Sequence, residues 1–450
     1  MRANGSATAV GRSPLERLLG LFTIVRPGEG ATALALACNI FLILATYYLI
    51  KPVREALILS VPGGPEIKSY SSAGQALLLL IAVPAYGWLA SRIRRMRLID
   101  TVTLVFAACL LGFYLLVEAG VQVGVPFFLW VGVFNLMIPA QFWAFANDLY
   151  DPEKGKRLFV LVAFGASSGA VFGSFLAHRL IPLLGVHQML VVAAGVLAST
   201  LLVTHWVNGR EQRGSGAAAR QAEPAEGPVE GGNAFALVFR NRYLLLLAVM
   251  LLLNNWVNSN GEYILGHIVK ESAVEFAAGG GKAVQEQFIA TFYSNYFGVV
   301  NLAGMLLQLF VVSRVITYIG VPVAICLLPA ITLGSYMTIV ALPVLGVVRW
   351  VKTAENSTDY SLQSTLKQVL YLPTTRAEKY KAKQAIDTFF VRAGDLCSAG
   401  LVLVGTQVLA LDMRGFAIAT VVICALWLAV SLLLGRRFGA LVPRKGKQGP

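Results

Sequence analysis

The sequence predicts an all-α polytopic membrane protein of about twelve transmembrane helices arranged in two six-helix bundles. Composition is the first observation: of 450 residues, 57% are hydrophobic and only 13% charged, whereas soluble domains carry about 25% charged residues. The second is that apolar stretches long enough to cross a bilayer recur along the chain. The third is that basic residues collect in alternate loops, as they do when loops alternate between the two faces of a membrane.

The stretches fall near residues 31–58, 69–91, 99–118, 125–147, 158–182 and 187–207, then 243–268, 287–313, 320–342, 344–372, 385–411 and 414–435. Between the halves lies GREQRGSGAAARQAEPAEGPVEGGN, rich in Gly, Ala, Glu and Pro without hydrophobic period, which reads as a flexible linker. The expected organisation is a segment 1–30, a bundle 31–207, a linker 208–241, a bundle 242–435 and a basic tail 436–450. One set of loops holds Arg92, Arg94, Arg95 and Arg97, then Lys154, Lys156 and Arg157, then Arg210, Arg213 and Arg220. The same side receives Arg314, then Arg376, Lys379, Lys381 and Lys383, then Arg436, Arg437, Arg444, Lys445 and Lys447. Both termini are therefore expected in the cytoplasm and the protein in the inner (plasma) membrane. The polar, basic first 30 residues are too long for the charged region of a signal peptide, and no small-residue cleavage site follows.

Several function classes are disfavoured. The net charge of +14 is accounted for by loop topology, so no nucleic-acid partner is expected; the surroundings are lipid bilayer. Cys38, Cys109, Cys326, Cys397 and Cys424 lie scattered through apolar segments, and His178, His187, His205 and His267 are equally dispersed. That leaves no metal-ligand spacing, and no cofactor is expected. FAAGGGKAV imitates a phosphate loop only superficially, with Phe276 where the first Gly is needed and Ala283 in place of Ser or Thr. With no soluble domain to hydrolyse nucleotide, an enzyme is not expected, and a monomer suffices.

The halves carry an internal repeat. LYDPEKGK closes the fourth span and LYLPTTRAEKYK the tenth, both with Leu-Tyr-x-Pro followed by Glu-Lys-x-Lys. Parallel six-span repeats are the construction of major facilitators. GWLASRIRRMR, between the second and third spans, partly matches their Gly-Asp-Arg loop, with Ser91 where the Asp would stand.

Charge inside the spans points to function. A charge deep in a bilayer costs about 2.5–3.5 kcal/mol even on the lenient insertion scale. The tenth span holds Arg349, Lys352, Glu355, Asn356, Asp359, Gln363 and Lys367 at spacings of three or four, which is one helical face. That stripe is expected to line a water-filled cavity; the alternative is an ion-pair ladder from Lys352 to Glu355 or Asp359. The seventh span is interrupted by Asn254, Asn255, Asn258, Asn260, Gly261 and Glu262, which predicts a broken helix around a site. The first span adds Lys51 and Arg54, and the fourth ends in Gln141, Asn147 and Asp148. Spans one, four, seven and ten line the cavity of a major facilitator, so Lys51 and Arg54 are expected to face the pathway. The alternatives are snorkelling to the interface and a local Lys51–Glu55 pair.

Four stretches, YYLIKPVREALIL, FWAFANDLYDPEKGKRLF, NSNGEYILGHIVK and YSLQSTLKQVLYLP with KYKAKQAID, resemble the bacterial and plastid nucleotide transporters. These form the ATP/ADP antiporter family, related to major facilitators and distinct from mitochondrial carriers. The resemblance implies exchange of nucleotides by alternating access and substrate-handling roles for Lys51, Glu262 and Lys367. Two departures bear on specificity: EKGKR where the family has Asp-Glu-Ala before Lys-Arg, and QSTLKQV where it has FDPCKEM. The candidate substrate site is Lys51, Arg54, Asn147, Asn258, Glu262, Lys352, Asp359 and Lys367, its partner a nucleotide or another anionic or amphipathic solute. Proton coupling of Glu262, and a membrane scaffold without transport, are the alternative functions.

Overall fold

The structure, a computed structural model, describes residues 14–19, 23–150, 152–214, 234–375, 378 and 382–442. Arg220, Arg376, Lys379, Lys381 and the tail residues Arg444, Lys445 and Lys447 lie outside the described residues. The first half runs through α1 (Gly30–Leu59), α2 (Gly64–Arg92), α3 (Arg95–Glu118), α4 (Gly124–Leu149), α5 (Pro152–Leu184) and α6 (Gln188–Gly214). The second comprises α7 (Arg242–Ala277), α8 (Gly281–Phe310), α9 (Val321–Ala341), α10 (345–369), α11 (Lys383–Gln407) and α12 (Met413–Leu441). Among the described residues ten helices are long and apolar enough to cross a membrane, and α8 with the bent continuation Val312–Tyr318 makes an eleventh. The remaining segment, α10, is the charged one. It is α-helical over Leu345–Thr358, widens to a π turn at Asp359–Gln363 and closes with Ser364–Val369.

The two halves repeat one pattern of packing. α1 lies against α4, α5 and α6, and α7 against α10, α11 and α12; α2 pairs with α4 as α8 pairs with α10, and α3 with α6 as α9 with α12. The bundles then meet through α5 with α8 and α2 with α11, a pair of contacts that exchange when the halves are exchanged. This is the duplication that the Leu-Tyr-x-Pro repeat announces.

Between helices in lipid, close packing takes over much of the role that the hydrophobic effect plays in water, and small residues let backbones approach. A glycine stripe on α5 does this against α1. A Cβ at Gly165 would stand 2.4 Å from the Ala37 carbonyl oxygen, one at Gly169 2.3 Å from that of Phe41, and one at Gly173 2.6 Å from the Ala45 Cα. At the α1–α2 connection Gly63 adopts φ +66°, a left-handed conformation that favours glycine, and Pro65 then opens α2.

The seventh span is not broken: α7 runs unbroken over 36 residues. Its amides find partners on neighbouring helices instead of its own backbone. Asn254 donates to Asp359, Asn255 to the Val391 carbonyl and to Asp395, and Asn260 to Thr420. Gly261 makes room rather than a kink, since a Cβ there would lie 2.0 Å from the Tyr336 hydroxyl and 2.5 Å from Lys352 Nζ.

Gly169→Leu should therefore force α5 off α1. Overpacking typically costs about 1–3 kcal/mol, so a clear fall in Tm is expected in detergent, against little change for Gly195→Ala, where the added methyl meets open space. An unchanged Tm for Gly169→Leu would contradict this packing.

Candidate functional site

Two ends of the molecule differ. The hairpin end carries the turns at 60–63, 119–123, 185–187 and 278–280; the linker end is the one where Gly214 and Ala234 lie. Several bonds between the bundles sit in the hairpin half. Lys270 Nζ donates to the Val61 carbonyl at 2.6 Å, Tyr263 Oη to Glu66 at 3.0 Å, and Ser60 Oγ to Glu286 at 3.2 Å.

Below this seal a cavity of about 270 Å³ opens between the bundles. On its α1–α2 side Glu55, fully buried, accepts from Arg54 Nε at 3.0 Å and pairs with Lys68 Nζ at 2.7 Å. Lys68 also reaches across to Glu262 of α7 at 3.4 Å, and Glu262 accepts from Asn356 of α10 at 3.3 Å. Lys51, only 8% exposed, has no carboxylate within ion-pair distance among the described residues. Its ammonium lies 3.9 Å from the Phe297 ring centroid, 5.2 Å from Tyr48 and 5.7 Å from Tyr47. On the far wall Asp395 of α11 accepts from Asn255, Ser259 and Arg392, and Asn258, Asn135, Gln75 and Tyr360 complete the lining.

Four of the eight residues expected at the site line this cavity: Lys51, Arg54, Asn258 and Glu262. The other four do not. Lys352 points into the second bundle, 0% exposed, with Glu355 at 2.7 Å beside Gly261, so its ion-pair alternative is realised. The stripe on α10 is thus divided between the bundle interior and its surface rather than turned wholly to the cavity. Asp359 stands at the π turn bonded by Asn254, next to the lining Tyr360. Lys367 pairs with Asp387 of α11 at 3.0 Å toward the linker end. Asn147 is exposed near the linker-end terminus of α4, beside Asp148, which pairs with Arg95. Glu55 partners Arg54 and Lys68 rather than Lys51. Lys68 and Arg392 are not among the expected residues; Lys68 follows the Pro-Gly-Gly-Pro turn by three residues whereas Glu55 precedes it by seven, so no simple spacing in the sequence links the two.

The fold is that of the major facilitators. The structure aligns with a POT-family transporter in complex with 5-aminolevulinic acid at TM-score 0.62, with 12% identity over 90% of this chain and 96% of that one. The nucleoside transporter NupG aligns at 0.58, with 13% identity over 91% and 98%. A bacterial homologue of the human lysosomal transporter Spinster aligns at 0.59, with 13% identity over 94% and 100%. In sequence, the chain is similar to ADP,ATP carrier protein 1 of Chlamydia muridarum, 25% identical over 359 residues, and of Chlamydia trachomatis, 22% identical over 358. Each alignment takes in 70% of this chain and 65% of the relative, so the chain spans about two thirds of the relatives it matches. No family model matches. The chain is a multi-span membrane protein of the major-facilitator type, with a resemblance to the nucleotide transporters related to that superfamily.

The buried pair and the cavity cation should respond oppositely to neutralisation. Lys352→Met leaves Glu355 charged and unpaired, a loss of about 3–5 kcal/mol, which the double variant Lys352→Met/Glu355→Leu should largely restore. Lys51→Met strands no carboxylate and should leave thermal stability unchanged or higher. Equal Tm losses for Lys352→Met and Lys51→Met would contradict the assignment.

Proposed function

We propose that the protein is a secondary transporter that exchanges nucleotides, ATP and ADP in type, across the inner membrane by alternating access. One observation carries the reading: a buried lysine, Lys51, aimed into the interbundle cavity and held by aromatic faces with no carboxylate of its own among the described residues. Cation–π contact offsets about 2 kcal/mol or more of the cost of desolvating an ammonium, against a penalty of several kcal/mol. An anion supplies the rest. A phosphate reaching Lys51 would also compete with Glu262 for Lys68, because the Lys68–Glu262 contact is the longer of the two that Lys68 makes. Arg54, already satisfied by Glu55, tunes the field and contributes less. Asn258 and the aromatic rings offer hydrogen bonds and stacking to a sugar or base. The similarity to ADP,ATP carriers supports nucleotide as the anion.

The same lysine favours exchange over net uptake. Reorienting the empty protein carries an uncompensated buried charge through the closed state, whereas the loaded protein carries a neutralised one. Bonds between the bundles at the hairpin end support a conformation closed there, with the linker end, cytoplasmic on the reading of its basic loops, as the side of access.

Purified protein in proteoliposomes loaded with unlabelled ADP should take up labelled ATP. Lys51→Ala should reduce uptake at least tenfold, and Arg54→Ala by less. Failure of any nucleotide to be exchanged, with uptake of another phosphate ester or carboxylate in its place, would replace the substrate while keeping the anion site.

A further inference from the structure

Outside the cavity, the hairpin end carries a titratable contact. His187, between α5 and α6, has a carboxylate on each ring nitrogen: Nδ1 lies 3.0 Å from Glu118 Oε1 at the end of α3, and Nε2 3.1 Å from Glu286 Oε2 in α8. Glu286 also accepts from Ser60 Oγ at 3.2 Å and faces Lys282 Nζ at 3.4 Å. His187, Glu118 and Ser60 belong to the first bundle, Glu286 and Lys282 to the second, so the imidazole ties the bundles at the end where they are closed. A neutral imidazole has one N–H and one lone pair. Placed between two carboxylates, it would set that lone pair against an anion; only the imidazolium donates to both.

We propose that His187 is a proton-binding site whose occupancy holds the hairpin-end gate shut, making the conformational equilibrium depend on pH at that face. The proposal rests on the alternating-access reading for one thing alone, that opening the hairpin end separates Glu286 from His187. The hydrogen bond to Glu286, and then that to Glu118, hold the His187 pKa above its ordinary value in the closed form. In the open form Glu118 remains, Glu286 leaves, and the pKa falls back toward about 6.5. Closure is therefore favoured fully below the open-form pKa, and the advantage disappears as pH rises through the closed-form pKa. Lys282 travels with Glu286 on α8 and does not bridge the bundles.

The test is a distance measurement on the full chain in nanodiscs without substrate, with bio-orthogonal spin labels at positions 121 and 276. Between pH 5.5 and 8.5 the closed-to-open ratio should fall, by about tenfold for each unit separating the two pKa values. His187→Gln should lose the shift and lie toward open at pH 5.5; His187→Arg should stay closed at both. A wild-type distribution indifferent to pH, or a shift that survives in His187→Gln, overturns the proposal. Should His187→Gln not fold, a shift persisting in His187→Arg overturns it. Since no substrate is present, the outcome is separate from whether the cavity takes nucleotide.

Discussion

A buried cation, Lys51, without a counter-ion among the described residues is the constraint around which the cavity is organised. Removing a charge from water costs several kcal/mol, and proteins ordinarily offset it with a partner charge. Several buried charges of this protein keep that rule: Glu55 sits between Arg54 and Lys68, Lys352 is closed onto Glu355, and Asp395 onto Arg392. Lys51 departs from it. Its aromatic surroundings hold the ammonium in position and lower its cost without neutralising it, leaving a preformed demand for negative charge. Glu262, the carboxylate of α7 that faces the cavity, is shared with Lys68.

The scaffold makes that arrangement possible by two kinds of close approach. The glycine stripe of α5 brings α1 in backbone-to-backbone, which fixes the rotation of α1 and therefore the direction of Lys51 and Arg54. Gly261 allows Lys352 and Tyr336 to pass behind α7, so that the adjacent Glu262 faces the cavity while its helix remains regular. In both places a small residue sets where a charge points.

Much of this is legible in the sequence. Span count, paired halves and the charged first, seventh and tenth spans follow from hydropathy and from the cost of intramembrane charge, which admits few placements. Helical spacing, however, says which residues share a face and not what that face meets. The α10 stripe reads as one wet surface; its Lys352 instead closes onto Glu355 of the same helix beside Tyr336 of α9, and Lys367 onto Asp387 of α11, because which neighbour each residue meets is set by the packing of the flanking helices. The Asn-rich run of α7 misleads for a related reason. Asn competes for backbone bonds only when no better partner exists, and here Asp395, Asp359 and Thr420 are those partners. Lys68 escapes a sequence reading because it begins a span a few residues past the turn, where loop and membrane charge look alike.

The central claim, that an unpaired buried cation ties movement of the protein to movement of an anion, is tested most directly by trans-stimulation. Efflux of labelled nucleotide from proteoliposomes would be measured with and without unlabelled nucleotide outside, for the wild type and for Lys51→Met. The account predicts efflux that is strongly accelerated by external nucleotide in the wild type. Whatever slow efflux Lys51→Met retains should be indifferent to it, because the empty variant no longer carries an uncompensated charge. Wild-type efflux equally fast into nucleotide-free medium, or full trans-stimulation in Lys51→Met, would contradict it.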